Sequence, residues 1–98
     1  MHVKPDLRPV DGEDANEELA SLAKAIAHPA RMQILRLLQE RATCTCGQIV
    51  DVLPLAQSTV SQHLAVMKTS GIVGTDAAGA YYIEPAALRR LRALIGAL

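Results

Sequence analysis

Apolar positions recur at helical spacing along most of the chain. Leu19, Leu22, Ala23 and Ile26 share one face of a helix over about 14–27 (α1), with Glu17 and Glu18 in the first turn, where acids suit the helix dipole. The stretch "AHPARMQILRLLQERA", residues 27–42, opens a second helix (α2) at Pro29, whose missing N–H costs nothing in a first turn. Its buried face is Ile34, Leu35, Leu37 and Leu38, and Arg31, Gln33, Arg36, Gln39 and Glu40 lie mostly off it. "TCGQIVDVL", residues 45–53, predicts a short α3: Thr45 and Gln48 have capping-box spacing, and Pro54 then forces a turn. "QSTVSQHLAVMKTS" predicts α4 over 57–70, with Val60, Leu64 and Met67 inward and Gly71 as its stop. Beyond Gly71 the helical period is lost. Two short β-prone runs, "IVGT" (72–75, β1) and "AYYIE" (80–84, β2), flank "DAAG", whose Gly79 suits a tight hairpin turn. Pro85 ends the second run and opens α5 over 85–98, with a stripe at Leu88, Leu91, Ile95 and Leu98 that serves as core or as a dimer seam. Residues 1–12 hold two prolines, one glycine and no apolar period. The expectation is a flexible acidic arm over 1–13 and one domain over 14–98.

Composition narrows the fold. A chain of 98 residues that is half hydrophobic, with two Tyr and neither Phe nor Trp, must build its core from Leu, Ile, Val, Ala and Met, which suits packed helices. So small a domain buries a modest share of its surface, and an oligomer is expected. The class is mainly α with a small β-hairpin. Two helices joined by a turn (α3 and α4) and followed at once by a hairpin have the proportions of a winged helix-turn-helix, in the order α1-α2-α3-α4-β1-β2-α5.

Net charge is zero, but it is unevenly spread. Residues 1–18 carry six acids and two bases, and residues 19–98 carry eight bases and four acids. A mildly basic body is compatible with nucleic acid. No apolar run approaches a membrane span, and the leader "MHVKPDLRPVDGEDANEE" lacks the apolar core of a secretory signal. Cys44 and Cys46 are too close for an unstrained disulfide, so reduced thiols and a cytoplasmic location are expected. No acidic pair in a pocket motif, Ser-His-acid order, glycine-rich phosphate loop or catalytic zinc pattern occurs, which argues against an enzyme.

In a helix-turn-helix the second helix enters the major groove with its N-terminal residues at the base edges. Here those residues are Gln57, Ser58, Thr59, Ser61, Gln62 and His63, all able to exchange hydrogen bonds with bases or phosphates, and Lys68 follows as a cation. His63 is placed either for DNA or as a partly buried spacer. Arg31, beside the α2 N-terminus, is placed for a phosphate or for an acid of the protein. The alternative to a DNA-binding regulator is a helical interaction module that dimerises without DNA.

Three stretches, "HPARMQIL", "CTC" and "QSTVSQHL", together resemble the ArsR/SmtB family of arsenic- and metal-responsive repressors, over roughly residues 19–84. The resemblance implies a homodimer through α1 and α5. It also implies binding to an imperfect inverted repeat in double-stranded operator DNA, and release when an ion or other signal arrives. A cysteine pair at this place in the family takes part in sensing arsenite, antimonite, cadmium, lead or zinc. Three features depart from the family pattern. Ala56 stands where Ser or Asp often caps α4, with Gln57 or Ser58 left to compensate. The wing "TDAAGA" has no base. Gly47 and Ile49 stand where the family often has Asp and a third Cys.

Residues i and i+2 of a helix point about 200° apart, so Cys44 and Cys46 converge only if Thr45 caps the helix and Cys44 lies outside it in extended backbone. Soft thiolates select soft ions, and two of them with an exogenous ligand would hold arsenite or antimonite as inducer. Residues 86–98 contain no His, Asp, Glu or Cys, and the arm adds only His2 and carboxylates. Two other readings stand beside this one: a thiol-oxidation sensor, and a purely structural pair in which Cys44 and Ile49 have hydrophobic-staple spacing.

Overall fold

Every apolar stripe needs a facing surface, and in the computed structural model, which describes residues 5–98, five helices and a hairpin face one another. The elements are α1 Glu13–Ile26, α2 Pro29–Arg41, α3 Cys46–Val52, α4 Gln57–Ser70, β1 Val73–Thr75, β2 Tyr81–Ile83 and α5 Pro85–Gly96. This is the predicted order, and the winged helix-turn-helix class holds.

Helix α4 sits at the centre. Val60, Leu64 and Met67 are fully buried, and α4 packs against α1, α2, α3 and β1. Each such side chain contributes about 1.5–3 kcal/mol on leaving water. That is enough to hold α4 although Ala56 provides no side-chain cap. Helix α2 buries Ile34, Leu35, Leu37 and Leu38, and α1 buries Ala15, Leu22 and Ala25, with Leu19 and Ile26 half-buried. Gly71 ends α4 at φ 86, the left-handed value that glycine adopts without cost.

The α5 stripe divides. Leu91 and Leu94 are buried and Leu88 is half-buried, whereas Ile95 and Leu98 are exposed. The inward face of α5 packs on α1. Ile95 stands in the last turn of α5 and Leu98 beyond its end, where both stay exposed although the helical period keeps Ile95 on the side of Leu88 and Leu91. Between them, Arg90 is buried. Its Nε donates to Glu18 Oε1 at 2.9 Å, and its terminal nitrogens donate to the carbonyls of Arg8 and Pro9. Arg8 in turn pairs with Asp6 and Glu18, and the adjacent guanidinium holds the Asp6 carboxyl well below the usual carboxylate range. Residues 5–12 have no helix or strand, yet this network ties them to α1 and α5.

The hairpin is antiparallel, with Val73 opposite Ile83, Gly74 opposite Tyr82 and Thr75 opposite Tyr81. Asp76 closes its turn: the carboxylate accepts from the N–H groups of Ala78 and Ala80, both at 2.9 Å. A third piece joins the sheet. Cys44 N–H donates to Tyr81 O at 3.0 Å, and Tyr81 N–H donates to Cys44 O at 2.7 Å. Cys44 is thus a one-residue strand on the outer side of β2.

Candidate DNA interface and thiol pair

Helix α3, the turn after it and α4 place the candidate recognition residues on one surface. The α3 start is built as its spacing predicts: Thr45 Oγ1 accepts from Gln48 N–H at 3.2 Å, and Gln48 Oε1 accepts from Thr45 N–H at 2.9 Å. On α4, Gln57, Ser58, Ser61 and Gln62 are exposed and Thr59 is half-buried. No side chain caps the α4 N-terminus, and its first turn holds no acid, so free N–H groups and a positive dipole end lie beside these residues. Lys68 is exposed and donates from Nζ to Thr75 Oγ1 at 3.1 Å, which brings the α4 cation to the turn end of β1 in the wing.

Arg31 and His63 are turned towards each other. Arg31 Nε donates to His63 Nδ1 at 3.1 Å, and its NH1 group donates to the Lys24 carbonyl at the end of α1. His63 also meets His28, with ring centroids 4.5 Å apart. His28 is the N-cap of α2, where its Nδ1 accepts from Ala30 N–H at 3.0 Å. Partial burial, then His28 and Arg31, push the His63 imidazole below its ordinary value. The sequence reading missed His28. Its signal was the dipeptide "HP" at a helix start, where an acceptor side chain ahead of a first-turn proline suits a cap.

The two thiols differ. Cys44 is 1% exposed and belongs to the core with Ile49, as a staple would require, while its main chain is bridged to Tyr81. Cys46 is half-buried, and its Sγ lies 3.5 Å from Ser61 Oγ of α4. Both are free thiols. Among the described residues no group of three or more His, Cys, Asp or Glu side chains is placed to hold a metal ion, and His2 lies outside those residues. Any ion on this pair therefore draws at most two thiolates from the described residues, and one of them is in the core. The Cys44–Tyr81 bridge was invisible to the pattern, because one paired residue leaves no alternation to detect.

The family model of bacterial regulatory proteins of the arsR type matches residues 28–75, from the α2 cap to the end of β1. An uncharacterized HTH-type transcriptional regulator of Methanocaldococcus jannaschii is 36% identical over 85 residues, covering 84% of this chain and 96% of that protein. The chain belongs to the arsR family. The transcriptional repressor PagR of Bacillus anthracis is 44% identical over 52 residues, 53% of this chain and 52% of its own length. A crystal structure described as a possible transcriptional regulator for arsenical resistance superposes with a TM-score of 0.67 at 30% identity, covering 79% of this chain and 82% of that one. This arsR-family chain is a transcriptional repressor of the winged-helix type and not an enzyme. Among the described residues no helix is long and apolar enough to cross a membrane.

Proposed function

We propose that this repressor works in the cytoplasm as a homodimer on an imperfect inverted repeat. Gln57, Ser58, Thr59, Ser61 and Gln62 address the major groove, Lys68 lies nearby, and Arg31 and His63 stand behind the α4 surface. The release signal is a thiol-seeking ion, arsenite or antimonite, taken by Cys44 and Cys46 with an exogenous ligand. The observation that carries this reading is the contact of Cys46 Sγ with Ser61 Oγ, which joins the thiol pair to the recognition helix.

The chemistry follows from what each thiol does without the ion. Soft thiolates prefer soft ions. For both to share one, Cys44 must leave the core and Cys46 must turn from Ser61. Leaving the core strains the backbone bridge from Cys44 to Tyr81, and turning from Ser61 removes a support of α4. The ion binds better to the conformer in which both have moved, and that difference in affinity is the coupling energy that lowers operator affinity. In a dimer α4 must fit two half-sites at once, so a small shift affects both.

The test uses a duplex from the promoter of the protein's own operon, identified by gel shift. Operator-bound wild type, C46S and C44S/C46S proteins are titrated with arsenite, antimonite, cadmium, zinc, lead, mercury and peroxide. Arsenite or antimonite releases wild type, and the double variant stays bound. Equal release of wild type and double variant by arsenite sinks the thiol site. Release by peroxide alone replaces the ion with oxidation at Cys46.

A further inference from the structure

We propose that His28, Arg31 and His63 form a proton-sensitive clamp that sets where α4 stands against α1 and α2, so that acidification weakens operator discrimination. The proposal goes beyond the thiol pair and needs neither cysteine.

The clamp is made of acceptors that a proton would abolish. A neutral imidazole keeps one nitrogen as acceptor, and an imidazolium has none. His28 Nδ1 accepts from Ala30 N–H at the start of α2, and His63 Nδ1 accepts from Arg31 Nε. In this arrangement each Nδ1 serves as an acceptor, a role that an imidazolium cannot fill. A proton on either one sets an N–H against the donor it had accepted from. At His63 this undoes the link from α4 to α2. The same Arg31 also donates to the carbonyl of Lys24, so one guanidinium spans the end of α1, the start of α2 and the middle of α4. With the two rings 4.5 Å apart, a charge on one also disfavours a charge on the other.

The charged and titratable groups acting on His63 are His28 and Arg31 of α2. Lys24 of α1 meets the cluster through its carbonyl oxygen, and α3 brings no charge that acts on it. Every neighbour that acts is a cation or becomes one, so none favours the imidazolium. In the folded protein the affinity of His63 for a proton is lowered from the ordinary 6.5. The unfolded chain then binds the proton more readily. The contribution of the clamp is full above about pH 6.5 and is lost as pH falls through the folded value. Arg31 and His63 thus act on DNA as positioning residues, through where they hold α4.

The test compares wild type, R31M and the double variant H28N/H63N. Asparagine keeps an acceptor near each Nδ1 position and does not titrate, and it is a good helix cap. Histidine C2–H resonances and thermal midpoints are followed across pH. The operator duplex and a scrambled duplex of equal length are titrated at one salt concentration, so that added positive charge raises both affinities and cancels in their ratio. As pH falls from about 7.5 through the folded value of His63 the wild-type ratio falls, reaching a loss of about tenfold once the imidazole is fully protonated, as for loss of a hydrogen bond to a charged group. H28N/H63N holds its ratio over that range. In R31M the ratio is already low at the higher pH, and His63 titrates nearer its ordinary value. Equal loss in wild type and H28N/H63N overturns the clamp, as does His63 titrating at or above 6.5. If no duplex is bound specifically at any pH, operator binding itself fails. The clamp then stands or falls on whether the wild-type midpoint drops with acid while that of H28N/H63N does not.

Discussion

Ala42 is the one described residue other than glycine with a positive φ, at 67. It follows α2, and Thr43 N–H donates to Arg41 O at 2.8 Å across it, which makes a tight three-residue turn. The turn swings the chain from α2 to Cys44 in two residues, so that Cys44 can reach Tyr81. A side chain in this region costs about 1–3 kcal/mol, and glycine loses more entropy than alanine on folding. A42G is therefore expected to stabilise the fold by about 1 kcal/mol in urea denaturation, and unchanged or lower stability would show that the surroundings absorb the strain. Arg90 is the opposite case, a charge buried because it is fully employed. R90M leaves the carbonyls of Arg8 and Pro9 without this donor and is expected to destabilise by about 1.5–3 kcal/mol, the range for hydrogen bonds to a charged group. Proteolysis within residues 5–12 should quicken in the same variant.

At the scale of elements, α3 and α4 begin differently. Helix α3 has a complete capping box on Thr45 and Gln48, and T45A should cost about 1 kcal/mol. Helix α4 begins at Ala56 with no side-chain cap, so A56S should add about 0.5–1 kcal/mol to the midpoint stability. The helix proposed to enter the major groove thus has the less satisfied N-terminus, with free N–H groups that a phosphate could meet. If A56S raises stability but weakens operator binding at the same salt, those groups touch the DNA backbone. If both rise, they do not. The Thr45 cap and the Gly71 stop were readable along the chain because they act within a few residues of where they stand. The uncapped start of α4 was readable for the same reason, although neither Gln57 nor Ser58 caps it.

At the scale of the whole molecule, the proposed homodimer needs an apolar seam, and two exposed apolar residues lie at the C-terminal end of the chain. Ile95 in the last turn of α5 and Leu98 just beyond it are exposed, while Leu91 and Leu94 fill the core. In the proposed homodimer they form part of the seam. I95E is expected to shift sedimentation at micromolar concentration towards the monomer and to reduce operator affinity with it, since two half-sites need two copies of α4. A variant that sediments like wild type would move the seam elsewhere.

The order of elements, the α2 and α4 core faces, the α3 capping box and the Gly71 stop followed from the sequence alone, because period, capping and turn chemistry are local. The motif order also pointed to the arsR family. Tertiary structure alone decided the rest. Cys44 pairs with Tyr81, Cys46 meets Ser61, and Arg31 meets His63 across 32 residues of chain. Arg90 is buried across more than 70 residues by Glu18 and the arm. Such meetings depend on how helices cross, and a side chain with several possible partners does not reveal in sequence which one it will face.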